Sequence, residues 1–276
     1  MATISHIVHP TDFSDASSAA FVHALKIALT AKATLTILHV AASHANDEWE
    51  QLPQVRKLLA DWGLLSPHDP ASAMTEKLGL TVRKVELEPQ SPASGVMQYL
   101  SRHTADLIVL ATEGRQGVAR WLRGSIAERL ARESRSVTLF VPAKARGFID
   151  PRRGEVHLKR VLIPIDHEPP PAAPRARIMA FAQLVAGIDA EERLLHVGGD
   201  APVIPQPGAP RRQLPVAVGQ GDAVEAIVAA ANDWSADLIG MPTAGHHGFL
   251  DVLRGSTTER VLRQAPCPLL AVPIAY

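Results

Sequence analysis

The sequence predicts an α/β protein made of two tandem doubly wound domains, each a mainly parallel five-stranded sheet with helices on both faces. Three observations predict it. One stretch occurs twice: residues 105–142 (ADLIVLATEGRQGVARWLRGSIAERLARESRSVTLFVP) return without a gap as residues 236–273 (ADLIGMPTAGHHGFLDVLRGSTTERVLRQAPCPLLAVP), with 17 of 38 positions identical. Each half alternates short apolar runs with helical patterns in the order β-α-β-α-β-α-β-α-β, which implies parallel strands and right-handed crossovers. Residues 143–157 (AKARGFIDPRRGEVH) are rich in charge, Gly and Pro and read as a linker, leaving domains at 1–142 and 158–276.

The elements follow in order. Residues 4–9 are an apolar strand that Pro10 is expected to stop. Ser14 caps a helix carrying Phe21, Val22, Leu25 and Leu29 at helical spacing. Residues 35–40 form the next strand. Between 46 and 78, Pro53, Gly63, Pro67 and Pro70 interrupt the pattern, so this connection is irregular or two short helices. A strand over 81–87 and a helix over 92–103 follow, and the repeated stretch supplies a strand at 107–110, a helix and a last strand at 137–141. The second half restarts with a strand at 160–165, then a helix from about Pro174 to Gly187. The Pro-rich segment 201–215 replaces the long connection of the first half. A short strand at 216–218 and a helix at 222–232 lead into the second copy, which is a trimmed version of the first.

Within each copy, an apolar run suited to a buried parallel strand leads into a glycine-bearing loop (Gly114, Gly117; Gly245, Gly248). Gly124-Ser125 or Gly255-Ser256 then opens a helix. A strand end, a glycine loop and a helix start present N–H groups and a positive dipole end to one point, which suits an anion such as phosphate.

These residues resemble the universal stress protein family. The spacing Gly114-(nine residues)-Gly124-Ser125, and again Gly245-(nine residues)-Gly255-Ser256, is similar to the latter part of its G-x2-G-x9-G-[ST] signature. The opening segment from His6 through Asp12 to Ser14, with Leu38-His39-Val40, is similar too, and Val161 to Asp166 with Leu195-His196-Val197 repeats it. The resemblance covers nearly the whole chain. It implies binding of ATP or a related adenine nucleotide, alone or with Mg2+, in a regulatory or stress-response role with slow or no hydrolysis. The Asp matching Asp12 hydrogen-bonds adenine in the family, with Pro10, Thr11 and Val40 lining the base pocket. The nucleotide site it implies in the first domain also takes in Leu110, Ala111, Glu113, Gly114, Arg115, Gly117, Gly124, Ser125 and Ile126. A weaker site in the second domain takes in Asp166, Val197, Gly245, His246, Gly255, Ser256 and Thr257. The family also pairs such domains through their last strands, here 137–141 with 269–273 inside one chain, and a second chain adds a homodimer.

Each motif has a plainer reading beside this one. Asp12 suits the cap of the helix that follows it. The signature's first Gly is Ala111 in one copy and Pro242 in the other; Ala adds a methyl, whereas Pro removes an N–H and fixes φ. Arg115, Arg120 and Arg123 surround the first loop, where the second has His246, Asp251 and Arg254, so phosphate is assigned to the first domain. These arginines also suit a solvated helix face. His246 and His247 with His167 and His196 resemble a metal cluster, but adjacent histidines rarely ligate one ion and no Cys or Glu completes a known spacing, so no metal is assigned. Cys267 between two prolines reads as a small core residue.

Composition excludes other classes. Basic and acidic residues balance at 28 each, which favours neither nucleic acid nor an acidic membrane surface as partner. One cysteine makes no internal disulfide, no apolar run nears bilayer length, and a cytoplasmic location is expected. No G-x4-G-K-[ST] is present, Gly219-Gln-Gly221 lacks a third glycine, and Gly124-Ser125 is in no G-x-S-x-G elbow, so no catalytic residue is assigned. The alternatives are a nucleotide-free interaction module of the same fold and, behind it, a slow ATP-hydrolysing enzyme.

Overall fold

The computed structural model describes residues 3–40, 46–88, 92–112, 136–243 and 257–274. In the first half these give β1 (His6–Thr11), α1 (Asp15–Ala31), β2 (Thr34–Val40), a 3-10 turn (Asn46–Gln51), α2 (Val55–Asp61), α3 (Ala73–Leu78), β3 (Thr81–Leu87), α4 (Pro92–Arg102), β4 (Leu107–Ala111) and β5 (Val137–Val141). The second half gives β6 (Arg160–Pro164), α5 (Ala172–Ala186), β7 (Glu191–Val197), β8 (Pro205–Gln206), β9 (Ala209–Gln213), β10 (Val216–Gly219), α6 (Ala223–Asp233), β11 (Leu238–Thr243), α7 (Thr257–Gln264) and β12 (Leu269–Pro273).

Both halves build the same five-stranded parallel sheet, ordered β5-β4-β1-β2-β3 and β12-β11-β6-β7-β10. The two sheets join where β12 runs antiparallel to β5, with Leu270 opposite Leu139, to give ten strands in order. Strand residues alternate between two cores. Ile7, Leu35, Leu107 and Val109 pack on the face carrying α1, α2 and α5; Val8, Leu38, Ile108 and Leu110 pack on the face carrying α4, α6 and α7. Burial on both faces is why these strands read as continuous apolar runs.

The repeated Ala-Asp-Leu-Ile has a structural role. Asp106 accepts from the backbone N–H of Ser5 (2.8 Å) and His6 (3.0 Å) and from the Ser5 hydroxyl (2.7 Å). Asp237 does the same for Lys159 (2.8 Å) and Arg160 (3.0 Å). Each aspartate thus ties the start of its half's first strand to the start of the fourth. Burial raises the Asp106 pKa, but these donors outweigh it and hold the carboxyl below its ordinary range.

Three local features depart from the sequence expectation. β1 does not stop before Pro10 but runs through Thr11. Its register with β4 ends at Val8, while Pro10 and Thr11 still lie opposite Leu38 and His39 of β2, so the missing proline N–H falls where β1 has a partner on one side only. α5 starts at Ala172 and takes Pro174 into its first turn, where backbone N–H groups lack intrahelical partners anyway. The Pro-rich 201–215 segment contains the β8/β9 hairpin, turned at Gly208 with φ 73°.

Residues 143–157 pack closely. Ile149 bridges Val156, and Phe148 and Ile149 are buried. Phe148 N–H donates to Nε2 of His23 on α1 (3.2 Å), and Trp62 donates to the Pro151 carbonyl (3.1 Å). On the other side Arg146 pairs with Asp237 at 3.0 Å. Gly154, at φ 64°, lies under Trp62, where an added Cβ would sit 2.5 Å from the ring.

Candidate functional site

In the first half the chain order β1-β2-β3 runs one way across the sheet and β4-β5 the other, so the strand order reverses between β1 and β4. Ligands of open α/β sheets bind outside the carboxyl ends of strands at such a point. Six sequence-predicted residues come together there: Pro10, Thr11 and Asp12 at the end of β1, Val40 at the end of β2, and Leu110 and Ala111 at the end of β4. Val40 and Leu110 are buried, on the same core face as Val8. Asp12 is half-buried, and its Oδ1 accepts the Ser14 N–H at 3.1 Å. The cap of α1 is Ser14, whose Oγ accepts from Ser17 N at 3.1 Å; Asp12 closes the turn before it.

Beneath Asp12, Thr11 joins two buried polar side chains that the sequence reading did not select, His9 and Ser17. Thr11 Oγ1 lies 2.8 Å from Ser17 Oγ and accepts the Phe13 N–H at 3.1 Å. Ser17 Oγ lies 3.5 Å from His9 Nε2, and His9 Nδ1 faces the Val109 carbonyl at 3.0 Å. Burial pushes the His9 pKa down to about 4, against the pull of the Val109 bond and the Asp12 charge. His39 at the end of β2 directs Nδ1 to the Thr11 carbonyl (2.9 Å) and packs on Phe13 at 4.3 Å. Phe13 itself has φ 59°. The available signal was period two: His9 and Thr11 share one face of β1, and Ser17 stands at the first turn of the helix covering that face.

The second crevice is built differently. Asp166 follows β6, but its side chain is 67% exposed, accepts the His167 N–H at 2.7 Å and stands 3.8 Å from His196 Nδ1. His196 directs Nδ1 to the Ile165 carbonyl (3.2 Å), repeating the His39 bond, and His167 directs Nε2 to the Asp200 carbonyl (2.8 Å). Val197 ends β7 half-buried, and Thr257 is the first residue of α7. Buried Thr243, which ends β11 as Thr112 follows β4, has no hydrogen-bond partner for its hydroxyl among the described residues.

Glu113, Gly114, Arg115, Gly117, Arg120, Arg123, Gly124, Ser125 and Ile126 lie outside the described residues, as do Gly245, His246, His247, Asp251, Arg254, Gly255 and Ser256. Cys267 is buried, which pushes its thiol up to about 12 and leaves it unreactive. Away from both crevices, an open cavity of about 640 Å³ lies at the linker, lined by Arg146, Ile149, Asp150, Arg152, His157 and Asp237. Beside it the ligand atoms of Asp150, Glu155 and His157 lie within 4.8 Å of one another, but Asp150 already accepts from the Arg152 and Arg153 amides and Glu155 faces Arg153 at 3.9 Å. Its charges are matched within the hairpin, so the switch-point crevice is the better candidate. Among the described residues no helix is long and apolar enough to cross a membrane.

Comparison with known proteins agrees with the fold. The model of the universal stress protein family matches residues 3–142 and 205–273. A universal stress protein of Methanocaldococcus jannaschii is 31% identical over 141 residues, covering 49% of this chain and 80% of that one. The crystal structure of a universal stress protein from Archaeoglobus fulgidus superposes with TM-score 0.60 at 17% identity, covering 98% and 97% of the two chains. The cytoplasmic domain of a prokaryotic cation chloride cotransporter superposes with TM-score 0.51 at 11% identity, covering 98% and 95%, a likeness of fold alone. With one family model matched at two successive regions, the chain belongs to the universal stress protein family as a tandem member.

Proposed function

We propose that this protein binds ATP or a related adenine nucleotide, alone or with Mg2+, in the crevice of its first domain, in a regulatory or stress-response role. The observation that supports this reading most is the convergence of Asp12 with the apolar Pro10, Val40 and Leu110 at the switch point between β1 and β4. A carboxylate is an acceptor that suits the exocyclic amine of adenine, and flanking apolar side chains suit a flat base. The phosphates would fall to the loop after Ala111, with Gly114, Gly124 and Ser125. Domains at 1–142 and 158–276, joined through 143–157 and paired in one chain, complete the proposal, and a homodimer and a cytoplasmic location belong to it.

The test is to denature freshly purified protein, separate any released nucleotide by chromatography, and then titrate with ATP and Mg2+, using the native chain, Asp12→Ala and Asp166→Ala. About one adenine nucleotide per chain is expected, lost with Asp12→Ala and kept with Asp166→Ala. Equal loss from both variants would remove the assignment to the first domain. Silence of the native chain in both assays would favour the nucleotide-free interaction module, to which Ala111 and Pro242 already point.

A further inference from the structure

We infer that a buried chain of hydrogen bonds, from the Phe13 amide through Thr11 and Ser17 to His9, positions Asp12 and so decides which domain reads the base. The inference rests on the nucleotide reading above and revises the expected role of Thr11: its buried hydroxyl faces Ser17 and the Phe13 amide, so it acts through Asp12 and does not line the base pocket.

The direction of every proton in the chain follows from its ends. Phe13 N–H donates to Thr11 Oγ1. At the other end His9 Nδ1 faces a carbonyl oxygen, so it carries the proton. His9 is fully buried with its pKa pushed down to about 4, so at neutral pH the ring has one proton and Nε2 is an acceptor. Ser17 must then donate to Nε2 and accept from Thr11. Four donors point one way, ending on the Val109 carbonyl of the neighbouring strand. The chain spans β4, β1 and the first turn of α1, and it holds the backbone on both sides of Asp12. Phe13 takes a left-handed φ of 59°, which costs an ordinary side chain about 1 kcal/mol or more, so the segment needs such an anchor.

The second domain lacks every side chain of the relay. Aligned on Asp166, the positions of His9, Thr11 and Ser17 are Ile163, Ile165 and Pro171. Ile163 and Ile165 are buried and apolar, and Asp166 turns to its own neighbour His167 and is mostly exposed. The same strand end therefore holds a carboxylate with a polar scaffold in one domain and without one in the other.

Affinities for ATP and GTP, measured by calorimetry on the full chain, test this with Thr11→Val, Thr11→Ser and Ser17→Ala, each first checked for native circular dichroism. Loss of one buried hydrogen bond is worth about tenfold in binding if it is felt at Asp12. Thr11→Val and Ser17→Ala are expected to lower ATP affinity about tenfold and to shrink the preference for ATP over GTP by the same factor. Thr11→Ser keeps the hydroxyl and is expected to rescue both to within about twofold. Equal weakening of ATP and GTP, or ATP binding by Thr11→Val at native strength, would overturn the positioning role while leaving the nucleotide reading intact. A native chain that binds neither nucleotide would remove that reading and the positioning role with it.

Discussion

The two crevices start from the same plan and diverge in what lies under the aspartate. Both halves end their first strand at the point where strand order reverses, both place a histidine at the end of the second strand to bond the backbone before the aspartate, and both tie strand starts together through the repeated aspartate. Beneath Asp12, however, lie His9, Thr11 and Ser17, whereas beneath Asp166 lie isoleucines and the prolines that lead into α5. The framework carries the fold and tolerates duplication. The buried polar side chains carry the distinction between the domains, because each must find a partner and so fixes the backbone it touches.

Acid offers the largest way to break that comparison. His9 and His23 in the first half are buried, and burial pushes both down to about 4 from 6.5. His23 must also stay neutral to accept the Phe148 N–H, because its Nδ1 already donates to the Ala19 carbonyl. A lowered folded pKa means that unfolding takes up a proton, so stability is full above the unfolded value of 6.5 and falls as pH drops toward 4. The loss approaches about 3 kcal/mol per imidazole. Hydrogen exchange at pH 7 and near pH 4.5 should show α1 losing protection well before α5. Parallel loss in both helices would mean that the buried histidines do not set acid sensitivity.

A core substitution separates the halves next. Gly240 in β11 occupies the position that Val109 holds in β4, and an added Cβ there would meet Ile178 of α5 at 2.5 Å. Ile178 is fully buried. Gly240→Val is expected to cost about 2 kcal/mol by overpacking. In the double variant with Ile178→Ala, chemical denaturation should recover about 1 kcal/mol or more as coupling, since the pair then approximates the first half's arrangement. Strict additivity of the two changes would show that α5 shifts freely on its sheet.

Most of this framework was legible because it depends on pattern. Apolar runs marked the strands, the duplicated 38 residues marked the halves, and Ser14 marked the start of α1. What stayed hidden depends on pairing across the fold. Pro10 sits inside β1 because the register with β4 ends at Val8, which no local rule reveals. The composition of 143–157 suggests solvent, yet Phe148 and Ile149 are buried there because His23 and Trp62 lie opposite. His9 reads as one residue of a strand; its meaning comes from Ser17, eight positions on, and Val109, a hundred positions on.

The smallest expected effect isolates the helix cap from the relay. α1 begins with Ser14, whose side chain accepts the Ser17 N–H, whereas α5 begins after Pro171 with no side-chain cap. Ser14→Ala gives the first helix the bare start of the second, and the lost cap should cost about 1 kcal/mol in urea unfolding. The Asp12 contact is made by the Ser14 backbone amide, which alanine keeps, and the Ser17 hydroxyl still faces His9. ATP affinity should therefore fall by less than with Thr11→Val, although the two changes are only three residues apart. A larger loss of affinity with Ser14→Ala than with Thr11→Val would place the control of Asp12 in the helix start and not in the buried hydroxyls.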